Sequence, residues 1–150
     1  MKVLFVCTGN TCRSPMAEKY FSKLCSDAGR VDIEVLSAGT FAGPGGAPSA
    51  NAAKVMSDYG IEMQGFTSSS LTPVMVEDAD IIVVMTSGHR SQIVAACPEA
   101  KSKVRLLMEF KNGGDVADPF GGDYETYKQC FDEMKEALEN LFLDLIKNSK

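Results

Sequence analysis

The chain has 150 residues, 45% of them hydrophobic, and 15 Lys and Arg against 20 Asp and Glu leave a net charge of -5. These values describe one globular domain over residues 1–150 and argue against a general nucleic-acid binder, which needs clustered basic residues. No run is long enough for a membrane span or a signal-peptide core, so the expected compartment is the cytoplasm; five cysteines and one histidine, with no Cys-x-x-Cys pair, argue against a disulfide scaffold and against a metal centre.

The first strand is predicted over residues 2–7, a continuous apolar run of the kind buried on both faces of a sheet. Gly9 and Asn10 break it, and both tolerate positive φ. Ser14 reads as an N-cap and Pro15 as the first helical residue, with a helix to about residue 28 and Gly29 as its stop. A second strand is expected over residues 32–37, then a glycine- and proline-rich loop at 43–46, then a helix over 48–59 stopped by Gly60. Residues 68–70 read as polar loop, and Thr72-Pro73 opens a short helix to about 78. The third strand, residues 79–85, contains Ile81, Ile82, Val83 and Val84. Ser87 is expected to cap a helix to about 96, on which His89 reads as solvated. A short fourth strand at 104–107 and a long loop over 109–123 precede a last helix from 124 to about 147. Its core stripe is Tyr127, Phe131, Met134, Leu138, Leu141 and Leu145.

Strands alternating with helices predict an α/β fold: a three-layer sandwich around a four-stranded parallel sheet. Strand order 2-1-3-4 would open a crevice beside the first strand, and the loop after that strand would lie at it.

That loop carries Cys7, five residues, and Arg13. The bare spacing is only suggestive, but here it follows a buried strand and feeds a helix. Consecutive N–H groups in such a turn form an anion nest, to which the helix dipole adds. The field that binds phosphate also favours the thiolate, which can attack phosphorus. Arg13 can grip two phosphoryl oxygens, and Ser14 can donate to the thiolate. A leaving group needs a proton, and no histidine is placed to supply it. Asp118, held before Pro119, is the best carboxylate, with Asp115 and Asp123 as competitors.

The run Cys7-Thr8-Gly9-Asn10-Thr11-Cys12-Arg13-Ser14-Pro15 resembles the phosphate loop of the low-molecular-weight protein-tyrosine phosphatases. Asp118-Pro119 resembles their general-acid loop, and Ser37-Ala38-Gly39 is similar to a third signature. The similarity covers essentially the whole chain. It implies a cofactor-free, metal-free two-step mechanism on phosphorylated proteins, carried out by a monomer. Cys7 would form a phosphocysteine while Asp118 protonates the leaving group, and Asp118 would then activate water. Backbone N–H groups of Thr8, Gly9, Asn10, Thr11, Cys12 and Arg13 would hold the oxygens. Asn10, Ser37 and Ser14 would support the loop. The resemblance also implies that Cys12 can pair reversibly with Cys7 in a disulfide.

Two departures are similar to the bacterial protein-arginine phosphatase branch. Thr11 stands where tyrosine phosphatases usually have an aliphatic residue, and Phe120 is followed by Gly121-Gly122 rather than a second aromatic. A phenyl ring suits apolar walls, whereas a guanidinium carries N–H donors and wants acceptors. Thr11 and Phe120 are therefore the substrate-selecting residues, with phosphoarginine expected and phosphotyrosine the alternative. Many relatives brace the loop asparagine with a histidine where this chain has Gly65-Phe66; Ser37 and residues 68–70 are candidate substitutes. Thioredoxin-coupled arsenate reduction is disfavoured because the third strand ends without the cysteines of that relay. A phosphate-binding module is disfavoured because both Cys7 and Asp118 are present.

Overall fold

The computed structural model describes residues 1–43 and 45–148; Pro44, within the expected loop at 43–46, lies outside the described residues. Strands β1 (Lys2–Cys7), β2 (Glu34–Gly39), β3 (Ile81–Val84) and β4 (Val104–Leu106) form a parallel sheet in the order β2-β1-β3-β4, as expected. Alternation along β1 feeds both faces of the sheet. Val3, Phe5 and Cys7 join a core with Met16 and Phe21 of α1 (Arg13–Asp27), Val55 and Met56 of α2 (Ala50–Asp58) and Phe131 and Leu138 of α5 (Tyr124–Asn148). Leu4 and Val6 join a second core with Val76 of α3 (Pro73–Asp78) and Ile93 of α4 (Ser87–Ala96). No helix among the described residues is long and apolar enough to cross a membrane.

Several boundaries differ from the sequence reading, among them β3, 81–84 rather than 79–85, α2, 50–58 rather than 48–59, and β4, 104–106 rather than 104–107. Four other differences have identifiable causes. α1 starts at Arg13 after Cys12, with no side-chain cap. Pro15 therefore sits inside the first turn, where helix N–H groups lack intrahelical acceptors and a proline costs little. β2 runs two residues later than expected because its register with β1 extends from Lys2↔Glu34 to Cys7↔Gly39. α4 is capped by Thr86 rather than Ser87: the Thr86 oxygen accepts from the His89 N–H at 3.2 Å. The segment expected as loop from residue 109 begins inside a 3-10 turn, Leu107–Phe110, where a Glu109 carboxylate oxygen accepts from the Leu106 N–H at 2.8 Å. The predicted α5 stripe is buried as read, and Asp123 accepts from the Thr126 N–H at its start.

The topology puts the end of β1 between β2 and β3, at the reversal of strand order. The loop between β1 and α1 opens there, and the segment before α5 closes over it.

Candidate active site

The loop over residues 7–13 turns its carbonyls outward. The Cys7, Thr8 and Thr11 carbonyls accept from the N–H groups of Thr40, Phe41 and Ser49, each at 2.9 Å. Among the described residues none accepts a hydrogen bond from the loop N–H groups of residues 8–13, which are thus left for an anion at the start of α1. Asn10 takes the left-handed conformation, φ 54°, while Gly9 does not. A different glycine is obligatory: a Cβ on Gly39 would lie 2.4 Å from the Thr8 carbonyl oxygen and 3.0 Å from the Asn10 nitrogen. Only the smallest residue lets β2 end against the loop.

A directional hydrogen-bond chain runs behind the thiol. The Asn10 amide oxygen accepts from the Ser69 N–H at 2.8 Å, so its NH2 is the donor. It donates to Ser14 Oγ at 2.8 Å and to Ser37 Oγ at 2.9 Å. Ser37 in turn donates to Glu18 Oε1 at 2.6 Å. Ser14 has accepted from Asn10, and its own O–H is free to donate to Cys7 Sγ, 2.9 Å away. Ser14 thus serves the thiol rather than capping the helix. Cys7, Asn10 and Ser14 are all buried, which keeps this order of donors intact.

Arg13 is buried at the other wall. Its Nη1 donates to the Val116 carbonyl at 2.9 Å, and its Nη2 lies 3.6 Å from Asp118 Oδ2. The Val116 N–H donates to the Met85 carbonyl at 2.8 Å, tying the loop before α5 to the end of β3. Asp118 accepts from the Phe120 N–H at 3.0 Å and is 54% exposed, so its carboxylate is oriented yet reaches solvent. The competitors are spent elsewhere: Asp115 accepts from the Ser87 N–H and Asp123 from Thr126. Cys7, Thr8, Gly9, Thr11, Cys12, Arg13, Asp118 and Phe120 line a single cleft. It combines a sulfur, an anion cradle, a guanidinium and a carboxylate, the parts needed to transfer a phosphoryl group to sulfur and then to water. Among the described residues no group of His, Cys, Asp and Glu could hold a metal ion.

The model of the family described as low molecular weight phosphotyrosine protein phosphatase matches residues 2–150. The chain belongs to this family. A protein-arginine-phosphatase of Bacillus subtilis (strain 168) is 40% identical over 152 residues, covering all of both chains. One of Geobacillus stearothermophilus is 43% identical over 142 residues, covering 93% of each. A solved YwlE arginine phosphatase, a C7S mutant with phosphorylated active site serine, superposes with a TM-score of 0.93 at 40% identity, covering 99% of this chain and 97% of that one.

In this low molecular weight phosphatase the brace of the loop asparagine is Ser37 together with the Ser69 backbone. Ser68 instead donates to the Gly43 carbonyl, and Ser70 to that of Ala42. The sequence reading of His89 as solvated is wrong: it is 4% exposed, with Nε2 2.9 Å from Thr8 Oγ1 and Nδ1 3.0 Å from Thr86 Oγ1. Burial, aided by the Arg13 charge, pulls its pKa down to about 4. Glu18, the end of the chain behind Ser14, and Tyr127, whose hydroxyl lies 3.2 Å from Cys12 Sγ, were also not singled out from sequence. Both sit on amphipathic helices where a polar side chain reads as surface or a tyrosine as core. Burial pushes Cys130 up to about 12 and raises Cys25, so these two thiols stay protonated.

Proposed function

We propose that this protein, one phosphatase domain over residues 1–150, hydrolyses phosphoarginine on proteins. Cys7 Sγ attacks phosphorus and the P–N bond breaks. Its electron pair goes to the guanidine nitrogen, which takes a proton from Asp118. Asp118 then takes a proton from water as that water attacks the phosphocysteine, and the thiolate leaves toward the Ser14 hydroxyl. The N–H groups of residues 8–13 and the Arg13 guanidinium hold the phosphoryl oxygens throughout. No step calls for a metal or an organic cofactor.

The observation that carries this substrate is that Thr11 and Asp118 line the same cleft, so that a hydroxyl and a carboxylate both offer acceptors to a guanidinium bound there. The two protein-arginine-phosphatases reported above, at 40% and 43% identity, support the same reading. Phosphotyrosine is the second reading, favoured by Phe120, which is 77% exposed at the rim and could wall an aryl ring. The test compares phosphoarginine and phosphotyrosine in one peptide context, with wild type and Thr11→Ile. Wild type is expected to prefer phosphoarginine, and Thr11→Ile to reduce that preference roughly 10- to 100-fold, the worth of one hydrogen bond to a charged group. Phosphotyrosine turnover equal to or above that of phosphoarginine in wild type would overturn the assignment.

In the same reading the enzyme is a cytoplasmic monomer acting on phosphorylated proteins, and Cys12 is a resolving thiol. Peroxide oxidises the Cys7 thiolate to a sulfenic acid, the Cys12 thiol displaces water from it, and the disulfide shields Cys7 from further oxidation. All five cysteines are free thiols in the structure, with Cys7 and Cys12 both buried in one loop. After peroxide and then thiol treatment, Cys12→Ser should recover much less activity than wild type. Equal recovery would remove Cys12 from this role.

A further inference from the structure

The proposed reaction makes no use of His89, yet this buried ring has polar partners on both sides. Nδ1 faces Thr86 Oγ1 at 3.0 Å, and that same oxygen caps α4 through the His89 N–H. Nε2 faces Thr8 Oγ1 at 2.9 Å. Arg13 opposes a positive charge on the ring, while Asp115 and Asp118 favour one; burial and Arg13 prevail, leaving the imidazole neutral at neutral pH. A neutral imidazole offers one donor and one acceptor. If Nε2 accepts, the Thr8 hydroxyl hydrogen is spent on it and both oxygen lone pairs stay open. If Nε2–H donates, one lone pair stays open. In either tautomer the hydrogen bond holds the Thr8 side chain in place, and its oxygen keeps a lone pair to offer.

Thr8 is exposed and lines the cleft with Thr11, Asp118 and Phe120. Its backbone is fixed as well, since its carbonyl accepts from the Phe41 N–H at 2.9 Å. The side chain that follows the nucleophile is thus held at both ends, and nothing in the phosphate cradle needs its hydroxyl, because the cradle is built from N–H groups.

We propose that Thr8 is a second substrate-selecting hydroxyl, whose oxygen accepts from a guanidinium N–H of phosphoarginine, and that His89 is the positioning residue that holds it. This rests on the phosphoarginine reading. A phenyl ring has no N–H to offer, so the contact discriminates between the two substrates rather than strengthening phosphate binding in general.

The test measures kcat/KM for a phosphoarginine peptide and for p-nitrophenyl phosphate, with wild type, Thr8→Val, His89→Asn, His89→Gln and the Thr8→Val/His89→Asn pair. Valine keeps the shape of threonine without its hydroxyl. Glutamine can place a polar atom near the position of Nε2, whereas asparagine reaches only as far as Nδ1. The ratio of phosphoarginine to aryl phosphate is expected to fall about tenfold in Thr8→Val, one charged hydrogen bond's worth. It should fall about as far in His89→Asn, no further in the pair, and recover for the most part in His89→Gln. An unchanged ratio in Thr8→Val, or equal losses on both substrates in both His89 variants, overturns the inference. A wild type that prefers phosphoarginine while Thr8→Val keeps the preference overturns this inference alone. A wild type with no such preference overturns the parent reading and this inference with it.

Discussion

Cys7→Ser should lose steady-state turnover by at least about four orders of magnitude, the largest effect of any single change in this chain. A serine hydroxyl is not ionised near neutral pH, so the attacking species is nearly absent even though the loop geometry is kept. The second step fails for a related reason. An alkoxide is a far poorer leaving group than a thiolate, and one hydrogen bond from Ser14 does not close that gap. If the variant accepts a phosphoryl group at all, it holds it. Intact-protein mass spectrometry after incubation with substrate should therefore show at most one phosphoryl adduct, with no continuing release of phosphate. The replacement is nearly isosteric, and the Ser14 and Asn10 side chains already make the site polar, so the thermal midpoint should move little. Turnover within tenfold of wild type would remove Cys7 from the nucleophile's role.

Asp118→Asn is expected to lower kcat by roughly 10²- to 10⁴-fold, the usual worth of a positioned acid and base. Asparagine keeps an oxygen to accept from the Phe120 N–H, so the turn that aims the side chain survives. Residue 118 is half-exposed, and the change costs the fold little. Removing a negative charge 3.6 Å from Arg13 should leave inhibition by inorganic phosphate unchanged or slightly stronger. The loss should also depend on the leaving group: large for a phosphopeptide and smaller for p-nitrophenyl phosphate, whose leaving phenolate hardly needs a proton. An equal loss on both, or a matching loss of phosphate affinity, would make Asp118 a structural residue instead.

Local features of the fold were legible where one segment settles its own conformation. The apolar run of β1, the Thr72-Pro73 start of α3 and the 3.6-residue stripe of α5 all carry their reasons within a few positions. The pieces of chemistry were legible too, because a thiol, an arginine and a carboxylate before proline are recognisable by type. Less legible were residues whose role depends on a distant partner. Ser14 reads both as a helix cap and as a donor to the thiol; only the second role is kept, because its oxygen accepts from Asn10 while its O–H faces Cys7 Sγ. His89 lies on a short helix among polar neighbours, and its burial and its hydrogen bond to Thr8, 81 positions earlier, arise only in the folded chain.

The sequence by itself determined the order of elements, the residue types of the cleft and the candidate substrate class through Thr11. The tertiary structure decided which hydroxyl points where. Parallel pairing of β1 with β2 brings Ser37 and the mandatory Gly39 against the loop, and the tie from Val116 to Met85 brings Asp118 over Arg13. Hydrogen bonds act over about 3 Å and have direction, so they are set by register and packing between segments far apart in the chain. Propensity and periodicity act within a few residues and carry no such information.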